Sequence, residues 1–127
     1  MSISGLVWSS AAICWMCLIF YLSSLSGHEV SQLSHLKTSP LIGHIVLFSG
    51  LTALLLMAIR GWNFEINLCW VIAVAIFSSL FGIVDEYHQS FVSGRYASVA
   101  DASIDSASST VTAVSMWGVA RFISFYR

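Results

Sequence analysis

Gly82-Ile-Val-Asp-Glu-Tyr-His-Gln-Ser-Phe-Val-Ser-Gly-Arg95 gathers two adjacent acids, a histidine, a glutamine and an arginine into 14 residues. The run before it, Ile66 to Val84, carries no charge. A helix turns about 100° per residue, so with Asp85 at 0° Gln89 falls at about 40°, Glu86 at about 100° and His88 at about −60°. Ile83, Val84, Tyr87 and Phe91 fill the arc from about 160° to about 260°. One face is polar and the other apolar. This predicts a helix that continues from the apolar run to about residue 92, extends beyond the membrane and turns its polar face inward. Gly94 is expected to end it.

The rest of the chain sets that stretch in lipid. Of 127 residues, 57% are hydrophobic and 9% charged. Soluble domains carry roughly 45–50% apolar and about 25% charged residues, so a soluble domain is excluded. The length suggests one domain, 1–127. A net charge of −1 with no basic run argues against nucleic acid and other polyanions. Cys14, Cys17 and Cys69 lie in apolar segments. Cys14 and Cys17 form a C-x-x-C, but mid-helix in a hydrophobic run they are better read as small apolar packing groups than as a redox or metal pair.

Residues 6–25, 41–59, 66–84 and 99–121 are predicted to be four spans, since a bilayer core about 30 Å thick takes about 20 residues of helix. The first is read as a retained span, because it lacks the basic start and the A-x-A site of a signal peptide. Gly27 to Ser39, with His28, Glu29, His35 and Lys37, is read as a connection, and Pro40 suits the first position of the next helix. Residues 60–65 form a short turn with an interfacial tryptophan. The predicted fold is all-α, an antiparallel bundle of four transmembrane helices. In the fourth, Asp101, Asp105, Ser108 and Thr112 form one stripe and Ala102, Ser106, Ser109 and Ala113 a parallel small-residue stripe. Small residues admit close backbones, and hydroxyls bond across such contacts, so this helix is expected to be the most buried. Asp105, one turn inside, needs a partner; Arg95 and His88 are the nearest candidates in sequence. Arg60, Arg121 and Arg127 on one side against Lys37 and Arg95 on the other favour cytoplasmic termini. The 85–101 cluster then lies on the extracytoplasmic side.

Three readings fit the cluster. It is a structural charge network of Asp85, Glu86, Arg95, Asp101 and Asp105. Or it is catalytic, with Asp85 orienting His88 for acid–base work and Arg95 holding an anion through its planar fork. Or it binds metal through Asp85, Glu86, His88 and His44, although the spacing fits no strong zinc motif. No metal and no cofactor is assigned. His44, near the start of the second span, either meets the interface or faces a polar pocket.

Asp85-Glu-Tyr-His-Gln-Ser-Phe, then Gly94-Arg95, then Asp101 with an acid four residues on, resembles the VanZ-like family of small bacterial membrane proteins. Tyr21, Ser23 and Ser24 match its Y-x-S-S, and His44 matches the histidine opening its second helix. The resemblance covers nearly the whole chain; its 85–105 block is specific and the rest weak. Departures stand at Pro40-Leu41, where the family often has Asp-Lys, at Phe48 for a tyrosine, at Asp105 for an asparagine and at Ser108 for a glycine. The family is named for a member that raises resistance to teicoplanin. The resemblance implies a multi-pass protein of the bacterial cytoplasmic membrane, with a candidate site but no reaction.

The expected function is therefore to act on or bind an anionic cell-envelope component, a lipid headgroup or cell-wall precursor, with a link to glycopeptide resistance. Asp85, Glu86 and His88 are the catalytic candidates; Arg95, Gln89, His44, Asp101 and Asp105 are the binding candidates. Expected partners are membrane lipid and either a homo-oligomer or another membrane protein. The alternative is a non-enzymatic assembly or transport partner whose polar cluster is structural.

Overall fold

Four long helices and one short helix make up the computed structural model, which describes residues 3–33, 40–60 and 66–126. They are α1 (Ile3–Ser24), α2 (Gly27–Leu33), α3 (Pro40–Arg60), α4 (Leu68–Gln89) and α5 (Val99–Phe125), with no strand among the described residues. α3 packs against α1, α4 and α5, and α4 packs most extensively on α5. The 34–39 part of the expected connection, with His35 and Lys37, lies outside the described residues, as do the 61–65 turn and Arg127.

α1, α3 and α4 are each long and apolar enough to cross a membrane. α5 has the length, 27 residues, but carries more polar groups. The distribution of side chains also fits a hydrocarbon solvent. Carboxylates are among the least often buried groups of soluble proteins. Here Asp105 is 0%, Glu86 4% and Asp85 5% exposed, whereas Phe20, Trp70, Ile76, Leu80 and Val84 stand outside.

Sequence chemistry sets the helix ends. Pro40 opens α3, as expected. Asn67, in extended conformation, caps α4 by accepting from the Cys69 N–H at 2.9 Å. Ser98 caps α5 by accepting from the Asp101 N–H at 3.1 Å. α4 ends at Gln89, short of the expected residue 92. There the ladder tightens: Phe91 N–H donates to His88 C=O and Val92 N–H to Gln89 C=O, both at 3.0 Å. Such i→i+3 bonds draw the chain into turns. Gly94, at φ 74°, completes the bend in the left-handed region.

The expected connection after α1 contains a helix. Ser26 and Glu29 form a reciprocal cap. The Ser26 N–H donates to Glu29 Oε2 at 2.8 Å, and Ser26 Oγ accepts from the Glu29 N–H at 3.3 Å. This S-x-x-E box starts α2. The hydrogen bond from the Ser26 side chain, then that from its backbone, holds the Glu29 carboxyl below its usual range.

Two clusters fill the interior. Leu56, Ile66, Val71, Val74, Ala113 and Ala120 pack at the end near both termini. Ile19, Phe48 and Leu51 pack nearer the other end. Trp15 ties α1 to α3: its Nε1–H donates to Leu47 C=O at 2.8 Å, and its ring fills the space beside Gly50.

α5 is not the most buried helix. Four of its residues are buried, against seven in α4. Nor do Ser103, Ser106 and Thr110 bridge helices: they donate to carbonyls one turn back, at 2.7, 2.9 and 2.8 Å, and Ser109 Oγ is buried with no partner among the described residues. A hydroxyl on a helix finds its own i−4 carbonyl before it finds a neighbour. The three cysteines are free and exposed on the apolar exterior, not packed inside.

Candidate functional site

The polar groups converge where α1 and α4 end and α3 and α5 begin, at the end away from both termini. α4 presents its faces as the helical wheel predicts. Asp85, Glu86 and Gln89 are buried, while Ile83, Val84, Tyr87 and Phe91 are exposed.

Asp105 finds its partner on α3. His44 Nδ1 lies 2.9 Å from Asp105 Oδ1. An ionised carboxylate only accepts, so His44 donates from Nδ1 and its other ring nitrogen, Nε2, stays available. Arg95 and His88, the candidates named from the sequence, are not that partner, which lies 61 positions away.

Gln89 is the centre of a second network. Its Nε2 donates to Asp85 Oδ2 at 2.9 Å and to Glu86 Oε1 at 3.2 Å. Its Oε1 accepts from Arg95 Nη2. Glu86 Oε2 accepts from the Ser98 N–H at 2.9 Å, which ties the end of α4 to the start of α5. Asp101, in the first turn of α5, brings a carboxylate oxygen within 4.8 Å of ligand atoms of His44 and Glu86.

His88 stands apart from Asp85. Its ring stacks on Phe20 with centroids 4.5 Å apart, and its Nε2 lies 3.0 Å from Ser24 Oγ. Ser24 Oγ also lies 2.7 Å from the Phe20 carbonyl. A carbonyl cannot donate, so the single hydroxyl proton is committed there and His88 donates to Ser24. This arrangement positions a ring; it does not activate a serine nucleophile, which would need His88 as the acceptor.

A cavity of about 180 Å³ opens beside these networks. His44, Asp85, Gln89 and Arg95 are among its polar lining residues, and Ile19, Leu22, Leu47 and Phe48 among its apolar ones. Pro40 also lines it, at the position where the family resemblance leads one to expect a polar residue. Separately, His44, Glu86 and Asp101 bring ligand atoms within 4.8 Å of one another, a grouping that could hold a metal ion. Of the four residues in the metal reading, which the sequence left unassigned, it includes His44 and Glu86; Asp101 stands in place of Asp85 and His88.

Three residues contribute beyond the catalytic and binding candidates named from the sequence. Ser98 supplies both a helix cap and a backbone donor to Glu86; its place before an apolar helix was the readable signal. Ser23 is buried and lines the cavity. Gly82 lets α4 and α5 meet, because a Cβ there would lie 2.9 Å from Asp105 Cβ and 3.2 Å from Phe48 Cε1. Gly82→Ala is therefore expected to lower stability by about 1–3 kcal/mol through overpacking. Denaturant midpoints in detergent micelles check this. An unchanged midpoint would mean that the two helices can part there without cost.

A family model described as VanZ/LLP1 matches residues 8–121. No curated protein and no solved structure matches the chain.

Proposed function

This chain belongs to the VanZ/LLP1 family, and we propose that it is a four-span protein of the bacterial cytoplasmic membrane whose polar cavity receives an anionic envelope component. α5 is the fourth span. At about 1.5 Å per residue its 27 residues reach about 40 Å, enough to cross. Val111, Val114, Val119 and Phe122 give it an apolar outer face. The termini lie in the cytoplasm, and the cavity opens on the extracytoplasmic side.

The observation that carries this reading is the mixed lining of the cavity, where Arg95 and Gln89 border the same space as Leu22, Leu47 and Phe48. Such a lining suits an amphiphile with an anionic head, either a lipid headgroup or a lipid-linked cell-wall precursor. Arg95 holds the anion. Asp85 and Glu86 supply acid–base or hydrogen-bonding groups, Gln89 orients them, and His88 holds the end of α1 against α4. The proposed consequence for the cell is altered susceptibility to teicoplanin.

A second reading, a structural network in an assembly or transport partner, draws support from Gln89, whose amide groups are all spent on neighbouring side chains. One experiment separates the two. Lipid and precursor extracts are compared by mass spectrometry from cells with wild type, Glu86→Gln or Arg95→Gln at equal membrane levels, beside teicoplanin susceptibility. A hydrogen bond to a charged group contributes about 1.5–3 kcal/mol, so Arg95→Gln is expected to weaken ligand binding by about tenfold or more. A species altered by the wild type alone supports turnover or transport. A susceptibility change that depends on Arg95, with unchanged extracts, supports binding. Folded variants that match the wild type in both measurements overturn the cavity reading and leave the structural one.

A further inference from the structure

The acids at this end outnumber the cations. Asp85, Glu86, Asp101 and Asp105 meet there, and the guanidinium of Arg95 is engaged by the Gln89 amide. Like charges in a poorly solvated site repel strongly. Two buried oxygens, Asp85 Oδ1 and Asp105 Oδ2, have no hydrogen-bond partner among the described residues. Asp85 is 5% exposed and lines the same cavity as His44, and Asp105 is fully buried. The excess of carboxylates over cations calls for positive charge at this end of the bundle.

We propose that His44, Glu86 and Asp101 form a divalent-cation site, with Asp105 as the carboxylate that orients His44. Their ligand atoms already lie within 4.8 Å of one another. Ligands about 2.0–2.2 Å from an ion stand about 3–3.5 Å apart, so small side-chain rotations close the set. His44 is prepared for the role. A metal-binding histidine commonly donates its other ring N–H to a carboxylate, which fixes the ring and raises its basicity; the 2.9 Å contact of Nδ1 with Asp105 does this and leaves Nε2 for the ion. One imidazole with two carboxylates favours a transition-series cation such as Mn²⁺ or Zn²⁺ over Ca²⁺. α3, α4 and α5 each give one ligand, so the ion would also tie three helices together. The site does not depend on the anionic-ligand reading. It would, however, supply the positive charge that lets an anion approach four carboxylates.

The test uses the full chain in detergent micelles, free of any affinity tag. Mn²⁺ binding is followed by the loss of the free-ion electron paramagnetic resonance signal, with Zn²⁺ as competitor. The expected result is one Mn²⁺ per chain, displaced by Zn²⁺. Asp101→Asn, a conservative change in a partly exposed first turn, should weaken binding by about tenfold or more, and His44→Ala should abolish it. His28→Ala, on the exposed face of α2, should bind as the wild type does. Absence of stoichiometric binding of either ion overturns the proposal, as does binding that survives Asp101→Asn in a folded protein. Neither result bears on lipid or precursor levels, so this site and the anionic ligand stand or fall separately.

Discussion

His44→Leu is expected to cost about 3–5 kcal/mol, because removing the one partner of a buried carboxylate leaves its charge uncompensated. The change leaves Asp105, 0% exposed, with no partner on either oxygen. Apolar packing does not make up the loss. Hydrocarbon outside the helices is as apolar as leucine inside, so burial in lipid gains little beyond dispersion. An ordinary interhelical hydrogen bond in a membrane contributes only about 0.6 kcal/mol on average. The large term is therefore the stranded carboxylate, not the lost bond. Two results should follow. Asp105→Ala alone should cost less than His44→Leu, because His44 is partly exposed at the cavity and its ring can turn toward solvent. His44→Leu/Asp105→Ala should recover at least half of the loss. Unfolding midpoints in detergent mixed micelles measure all three variants. If the double variant were as unstable as His44→Leu, packing rather than charge would explain the loss.

That pair marks the limit of what could be read from residues alone. The inward turn of Asp85, Glu86 and Gln89 was legible, because helix geometry fixes neighbours three and four apart whatever surrounds them. The same geometry left His88 ambiguous. At about −60° from Asp85 it sits at the edge of the polar face, and only the position of α1 decides that it meets Phe20 and Ser24. The tie from His44 to Asp105 joins α3 to α5, and no local period encodes it. The apolar spans announced themselves by length and composition, but α5 was harder, since its serines fit either interhelical hydrogen bonds or back-bonding to their own helix. Ser103 and Ser106 take the second, and Ser109 takes neither among the described residues. α2 was readable in principle from Ser26 and Glu29; its seven residues are too short for an amphipathic pattern to stand out.

Gly27→Ala is expected to cost about 2–4 kcal/mol and to disturb the cavity without touching it. A Cβ at residue 27 would lie 2.1 Å from the Gly94 carbonyl oxygen and 2.8 Å from its carbon. Both are backbone atoms, so no side chain can swing aside. The Gly94 peptide cannot yield without moving the turn that its neighbours' backbone bonds hold, from Val92 N–H to Gln89 C=O and from Arg95 N–H to Val92 C=O. Relief requires lifting α2 off the turn, which also breaks the 3.0 Å bond from the Gly27 N–H to Ser93 C=O. Overpacking accounts for about 1–3 kcal/mol and the broken bond for about 1 kcal/mol. Gly118 is the comparison: nothing lies within 4 Å of a Cβ there, so Gly118→Ala should be neutral or stabilising by up to about 1 kcal/mol. Melting in detergent tests the contrast, and equal midpoints would mean that α2 does not rest on the turn. The functional consequence follows from chain order. Arg95 is the next residue after Gly94, and its N–H bonds Val92 C=O at 3.1 Å within the same turn. Moving the turn moves the guanidinium. Gly27→Ala should therefore weaken an anionic ligand as Arg95→Gln does, and Gly118→Ala should not, even where all three proteins remain folded.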